Sequence, residues 1–146
     1  SNTMDSAKMK ALLKESFCTA IEQSLGEPPS ECAQKLSQGY ISSLAFSCEG
    51  DKFTLYIVST LQFLRHVSSV MLFDDSPSEE VLQDITKELA NLVAGVAKVS
   101  ANKNNVAFGI ATPLFVGMGN FRSPFSAYCY FEYAKQPCCS LYWIRH

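Results

Sequence analysis

The chain has 146 residues, 47% of them apolar, and a formal net charge of −2, which suits one domain whose core needs neither disulfides nor a structural metal. Acidic and basic residues are interspersed, which argues against a nucleic-acid partner because phosphate-binding surfaces cluster Lys and Arg. No apolar run is long enough to cross a bilayer and the N-terminal segment is charged, so we predict no membrane span, no secretory signal and a cytoplasmic location.

The first half of the chain predicts a helix, a β-hairpin and a second helix. Apolar side chains recur every three or four positions over residues 6–25, which indicates an amphipathic helix, and Gly26 suits its end. Alternation of apolar and small polar residues over 40–57, around a polar turn, indicates a hairpin. Residues 60–73 again have the spacing of a helix.

The third helix has the clearest start signal. Ser76 can cap it, Pro77 suits the first helical position, and Glu79 stands where a capping box needs an acidic residue. From there we predict a helix to about Ser100, ended by the polar turn 101–105.

The last part of the chain has β character. Strand patterns occur at 106–111, 125–133 and 140–144, of which the last two are expected to form a hairpin through residues 135–137. Pro113 and the glycine-containing stretch 117–120 are expected to interrupt the sheet. This order predicts an α+β fold, a two-layer sandwich of helices packed on an antiparallel or mixed β-sheet. Residues 1–3 are interpreted as an expression remnant, which leaves 4–146 as one domain.

The six cysteines show no CxxC pair and no Cys/His spacing typical of zinc, so we predict no metal site. Cys48 and Cys129 fall in strand patterns, where a free thiol packs as a small apolar side chain. The adjacent Cys138 and Cys139 are expected to be a strand residue beside a turn residue, and a redox role for them stays open. Reduced thiols fit a cytosolic protein.

Four residues form a polar stripe along the third helix. With Asp84 at zero and an advance of about 100° per residue, Glu88 falls near 40°, Asn91 near −20° and Gly95 near 20°. The predicted apolar stripe of the same helix lies at about 60–180° on this scale, so the polar stripe flanks the face that we expect to be buried. The apolar stripe consists of Val81, Leu82, Ile85, Leu89, Leu92, Val93 and Val96.

The chemistry of this stripe is positioning rather than covalent catalysis. Glu88 offers a negative charge to an ammonium group, and the amide of Asn91 is both a donor and an acceptor that can hold a water. An ordinary solvated helix face is the alternative. Two locally unfavourable residues weigh against it, since Asn costs several tenths of a kcal/mol and Gly about 1 kcal/mol relative to Ala inside a helix.

These residues resemble a known signature. The segment from Asp84 to Lys98 is similar to the signature helix of the CheC, CheX and FliY chemotaxis phosphatases, in which Asp or Ser is followed after three residues by Glu, after two more by Asn, and a little over twenty residues on by Pro. Here Glu88, Asn91 and Pro113 fit that pattern, with Pro113 lying 22 positions after Asn91. With only one such motif, the chain resembles the CheX type, and the similarity covers nearly the whole sequence.

The resemblance implies a function. Members of the family hydrolyse the aspartyl phosphate of a CheY-like receiver domain of a response regulator, so Glu88 is expected to pair with the receiver's active-site lysine and Asn91 to orient the attacking water. Asp84, Gly95 and Pro113 are expected at the partner-binding surface. The only metal ion implied is Mg²⁺, which belongs to the receiver, and the protein needs no cofactor of its own. CheX proteins also form dimers, which implies a homodimer.

Some alternatives remain at this stage. Val96 stands where many relatives have Asn, which leaves the identity of the receiver open, and CheX-like domains also occur outside chemotaxis. A non-catalytic domain of the same fold that binds a receiver or another signalling partner is the rival hypothesis. The aromatic residues of the C-terminal strands fit either core packing or an exposed interface.

Overall fold

The computed structural model describes residues 4–146, so the expected expression remnant at 1–3 lies outside the described residues. Residues 4–146 form three helices and seven strands. In chain order these are α1 (Ser6–Leu25), β1 (Ser30–Glu31), β2 (Gln38–Cys48), β3 (Asp51–Ser59), α2 (Leu61–Leu72), α3 (Glu79–Lys103), β4 (Phe108–Ile110), β5 (Leu114–Asn120), β6 (Ala127–Tyr133) and β7 (Gln136–Arg145). The helices pack on one antiparallel sheet, which confirms the predicted α+β fold.

The sheet has the order β1-β6-β7-β3-β2-β4, and β5 pairs with β2 beside β4. The main core lies between this sheet and the helices, with Phe17, Leu44, Leu64, Val93 and Leu141 among its members. Because neighbouring strand residues point to opposite faces, residues that alternate with the core positions form a smaller second cluster on the other face of the sheet. This cluster contains Ile41, Val58 and Tyr142.

The first half of the chain agrees with the sequence prediction. The side chain of Asp5 accepts a hydrogen bond from the backbone N–H of Lys8 and caps α1. Gly26 ends that helix in the left-handed conformation, and its N–H donates to the carbonyl of Glu22. The hairpin of β2 and β3 and the second helix are confirmed.

The predicted start of α3 is wrong by two residues. The cap is Ser78, whose hydroxyl accepts from the N–H of Val81, so Ser76 does not cap and no capping box forms. Glu79 instead accepts a hydrogen bond from the Tyr40 hydroxyl at 2.8 Å, which ties the start of α3 to β2. Burial and this hydrogen bond raise the pKa of Tyr40, which therefore stays a proton donor.

The predicted end of α3 is also too early. The helix continues to Lys103 because Ala101, assigned to a polar turn, is buried in the core. The side-chain amide of Asn104 donates to the carbonyl of Ser100 and Asn105 adopts a positive φ of 57°, so the chain leaves the helix there.

Three strand predictions need correction. Residues 117–120 do not interrupt the sheet but belong to β5, which pairs with the first part of β2. The short strand β1, paired with β6, was not predicted. The β6–β7 hairpin is confirmed, but its turn is Ala134–Lys135, both with positive φ, so Cys138 and Cys139 both lie buried inside β7 and neither is a turn residue.

Candidate functional site

Helix α3 carries the candidate site, and its opposite face is packed into the core. Its buried residues are Leu82, Ile85, Thr86, Leu89, Ala90, Val93, Ala94, Ala97 and Ala101. This face is wider than the predicted apolar stripe because it includes Thr86, whose hydroxyl is satisfied by the carbonyl of Leu82, and four alanines. Val81, Leu92 and Val96, predicted as part of the buried stripe, are only partly buried.

The polar stripe lies on the outer side of the same helix. Asp84, Glu88 and Asn91 are exposed and Gly95 is half-buried. A Cβ atom added at Gly95 would meet nothing within 4 Å. The glycine is therefore not required by packing within residues 4–146, and it leaves the helix surface open beside Asn91.

Of the two carboxylates in the polar stripe, only Asp84 forms an ion pair within the described residues. Its carboxylate lies 3.4 Å from the ammonium of Lys87, one turn further along α3. Within residues 4–146, Glu88 forms no ion pair and neither Glu88 nor Asn91 forms a side-chain hydrogen bond. The anion and the amide are thus both available to a partner.

A groove between α2 and α3 borders the stripe, and sequence reasoning did not find it. Its volume is about 330 Å³. Apolar side chains line most of it, and the acidic Asp84 and Glu88 form one side. The lining residues are Val67, Met71, Leu72, Val81, Asp84, Ile85, Glu88, Leu89 and Leu92.

The C-terminal end of α2, beside this groove, exposes four consecutive apolar residues, Val70, Met71, Leu72 and Phe73. Phe73 is 91% exposed. It also ends the helix in the left-handed conformation, with φ 56°, where its N–H donates to the carbonyl of Ser68. The apolar run before Asp74 was the available sequence signal, but the sequence analysis used residues 60–73 only to predict a helix.

Pro113 is the one predicted site residue that the structure does not place on the helix surface. It lies half-buried between β4 and β5. The groove is lined by α2 and α3 alone, so Pro113 takes no part in it.

Other candidate sites give weaker signals. His66 packs against the ring of Tyr133, with centroids 5.5 Å apart. Among residues 4–146 no group of three or more His, Cys, Asp or Glu side chains is arranged to hold a metal ion. No helix in this described range is both long and apolar enough to span a bilayer.

Solved structures of chemotaxis proteins share this fold. CheX from Vibrio vulnificus superposes with a TM-score of 0.81 at 16% identity, with 100% of both chains covered. CheX from Desulfovibrio desulfuricans gives a TM-score of 0.76 at 16% identity, over 95% of this chain and 99% of that one. The CheX–CheY–BeF3–Mg²⁺ complex from Borrelia burgdorferi gives 0.75 at 13% identity, over 99% of both chains. No protein-family model and no curated protein matches the chain. The chain therefore has the fold of the CheC, CheX and FliY proteins, as the resemblance implied.

Proposed function

We propose that this protein is a phosphatase that hydrolyses the aspartyl phosphate of a CheY-like receiver domain. One observation carries the proposal. Glu88 and Asn91 lie exposed, one turn apart, on a helix fixed by its buried face, and neither side chain forms a hydrogen bond or ion pair within residues 4–146. The likeness in fold to a CheX that forms a complex with CheY, BeF3 and Mg²⁺ supports a receiver as the partner.

In this proposal Glu88 anchors the receiver and Asn91 promotes the chemistry. The carboxylate of Glu88 pairs with the receiver's active-site lysine, which brings Asn91 to the acyl phosphate. The Asn91 amide accepts from and donates to one water and holds it in line with phosphorus. Attack by that water breaks the bond between phosphorus and the aspartate oxygen and releases inorganic phosphate and a free carboxylate. Such catalysis by positioning is typical of phosphoryl transfer.

The remaining predicted residues have supporting roles in the proposal. Asp84, already paired with Lys87, orders the helix surface or contacts the receiver. Gly95 gives the receiver room to approach the helix. Pro113 stays a predicted partner-binding residue. The Mg²⁺ ion of the reaction belongs to the receiver and the location is the cytoplasm.

A homodimer is also part of the proposal, and the edge strand β5 supports it. Leu114, Val116 and Met118 are exposed along this strand. The sequence has no Asp, Glu, Lys or Arg between Lys103 and Arg122, although edge strands are commonly protected by charge. A second copy that covers this edge would remove an aggregation-prone surface.

The test is hydrolysis of a phosphorylated receiver, with Mg²⁺, by the wild type and by Asn91→Ala. We expect the variant to lose about 10²–10³-fold in rate, the usual cost of removing one group aimed at the reacting centre. The matched control is Asn102→Ala, which makes the same change on the same helix about 16 Å further along.

Two outcomes would count against the proposal. If Asn91→Ala hydrolyses the acyl phosphate as fast as the wild type, Asn91 is not the water-positioning residue. If the wild type binds receivers and accelerates hydrolysis of none, the non-catalytic binding domain is the better reading. Unchanged melting temperatures of both variants would show that any loss is not one of folding.

A further inference from the structure

Phe73, at the end of α2, has an exposure and a backbone conformation that no contact among the described residues accounts for. Phe73 exposes an aromatic ring to solvent and adopts a left-handed backbone that side chains other than Gly, Asn and Asp seldom take. Within residues 4–146 its ring takes part in no aromatic pair and does not line the groove between α2 and α3. The exposed ring and the left-handed backbone are both unfavourable in the isolated chain. Contact of the ring with another molecule would offset this cost by removing the ring from water.

The groove next to Phe73 is apolar inside and acidic at its rim. Met71 and Leu72 line it from α2. Asp84 and Glu88 form its acidic side. The stretch from residue 74 to residue 91 that contains them has a single basic residue, Lys87. A complementary occupant therefore combines an apolar side chain with positive charge.

We propose that the α2–α3 groove and Phe73 bind an apolar side chain of the receiver that lies beside the receiver's active-site lysine. This inference rests on the proposed function. Glu88 lines the groove and is also the proposed partner of that lysine, so one receiver surface reaches both. The exposed Val70 and Phe73 extend the same contact beyond the groove.

Charge argues for a receiver rather than a second copy of the chain in this groove. In a two-fold symmetric contact each surface meets itself. The acidic rims of two copies would then face each other, and like charges placed opposite each other weaken an interface. A receiver that presents a lysine has the complementary charge.

The test measures the affinity for a CheY-like receiver that is activated with BeF3⁻ and Mg²⁺. The informative variants are Phe73→Asn, since Asn accepts the left-handed backbone, and Met71→Ser. We expect each to raise the dissociation constant about tenfold, which corresponds to about 1.4 kcal/mol. With the phosphorylated receiver the loss should appear in KM, whereas Asn91→Ala lowers kcat. The matched control is Val99→Ala, which shortens an apolar side chain that is 56% exposed on α3 but does not line the groove.

The outcomes separate this inference from the function on which it rests. Unchanged affinity in both groove variants, together with loss of hydrolysis in Asn91→Ala, overturns the docking site and leaves the phosphatase intact. A wild type that binds no activated receiver overturns both. Sedimentation of the same variants gives a third result, because a dimer that dissociates only in Phe73→Asn and Met71→Ser would assign the groove to a second copy. All variants should keep the melting temperature within a few degrees of the wild type, as surface substitutions usually do.

Discussion

The two faces of α3 differ in whether their side chains have contacts among the described residues. On the buried face the side chains belong to the core, and even the hydroxyl of Thr86 has a partner. On the outer face Glu88 and Asn91 have no partner among the described residues, and Gly95 weakens the helix without filling any packing need. The comparison teaches that stability accounts for the residues of the inner face, whereas the described residues give no structural reason for Glu88, Asn91 and Gly95 on the outer face.

Truncation of the inner face should give the largest effect on stability. Leu82 is 4% exposed and belongs to the main core. We expect Leu82→Ala to lower the free energy of unfolding by about 2–5 kcal/mol, from lost burial and the cavity left behind. Chemical denaturation measures this, and hydrolysis per folded molecule should be unchanged. A loss of activity larger than the unfolded fraction would show that the inner face also affects hydrolysis, which contradicts this prediction.

A substitution on the outer face should move stability and binding in opposite directions. Gly95→Ala should raise the free energy of unfolding by about 1 kcal/mol, because Ala is the better helix former and its Cβ meets no atom of the chain. It should also weaken receiver binding, since the methyl group fills the space left for the partner. Titration with an activated receiver tests this, with Asn102→Ala as a control for improved helix propensity alone. Unchanged affinity would show that no partner approaches the helix at this position.

Glu31 and Glu88 allow a carboxylate that has partners in the chain to be compared with one that has none among the described residues. Glu31, unlike Glu88, accepts hydrogen bonds from the thiol of Cys129 and the ammonium of Lys14, each at 3.1 Å. These contacts lower the pKa of Glu31 below its ordinary value of 4.5. The carboxylate of Glu31 therefore contributes fully to the free energy of unfolding at pH values above its ordinary pKa. This contribution is lost as the pH falls through the lowered pKa of the folded state.

The smallest expected effect follows from this pKa. Because Glu31 is largely exposed, Glu31→Gln should cost less than about 1 kcal/mol at neutral pH. The difference in melting temperature between variant and wild type should shrink as the pH falls through the lowered pKa of Glu31, where the wild-type carboxylate becomes protonated. Thermal unfolding from pH 7 to pH 3 measures it. A difference that persists at the acid end would mean that the carboxylate charge is not the cause.

Most helices of the fold could be predicted because their apolar period and stop signals are local. The start of α3 was misplaced because two serines flank Pro77 and the sequence does not show which one caps; the use of Glu79 by Tyr40 depends on tertiary contact. The second half of β5, residues 117–120, was predicted to interrupt the sheet because its glycines suggested a loop. Its pairing with β2, including a register shift at Ile41/Ser42, is a long-range property.

The candidate site divides in the same way. The exposure of Asp84, Glu88 and Asn91 could be predicted because positions on one helix follow from its period. The groove could not, because it depends on the distance between α2 and α3. Phe73 could not be singled out either, since its left-handed backbone and exposure are not visible in a short apolar run.

The anchoring of α3 has a consequence for the entropy of docking. The helix is capped at its start by Ser78, tied to β2 through Glu79 and Tyr40, and buried on one face along its length. Its backbone is ordered before any partner arrives, so complex formation need not fix it. The entropic cost of binding at Glu88 and Asn91 is then limited to fixing the rotamers of these two side chains, about 0.5–1.5 kcal/mol each. For the proposed receiver complex, this preorganisation favours binding, because little conformational freedom is lost when the two side chains meet the partner.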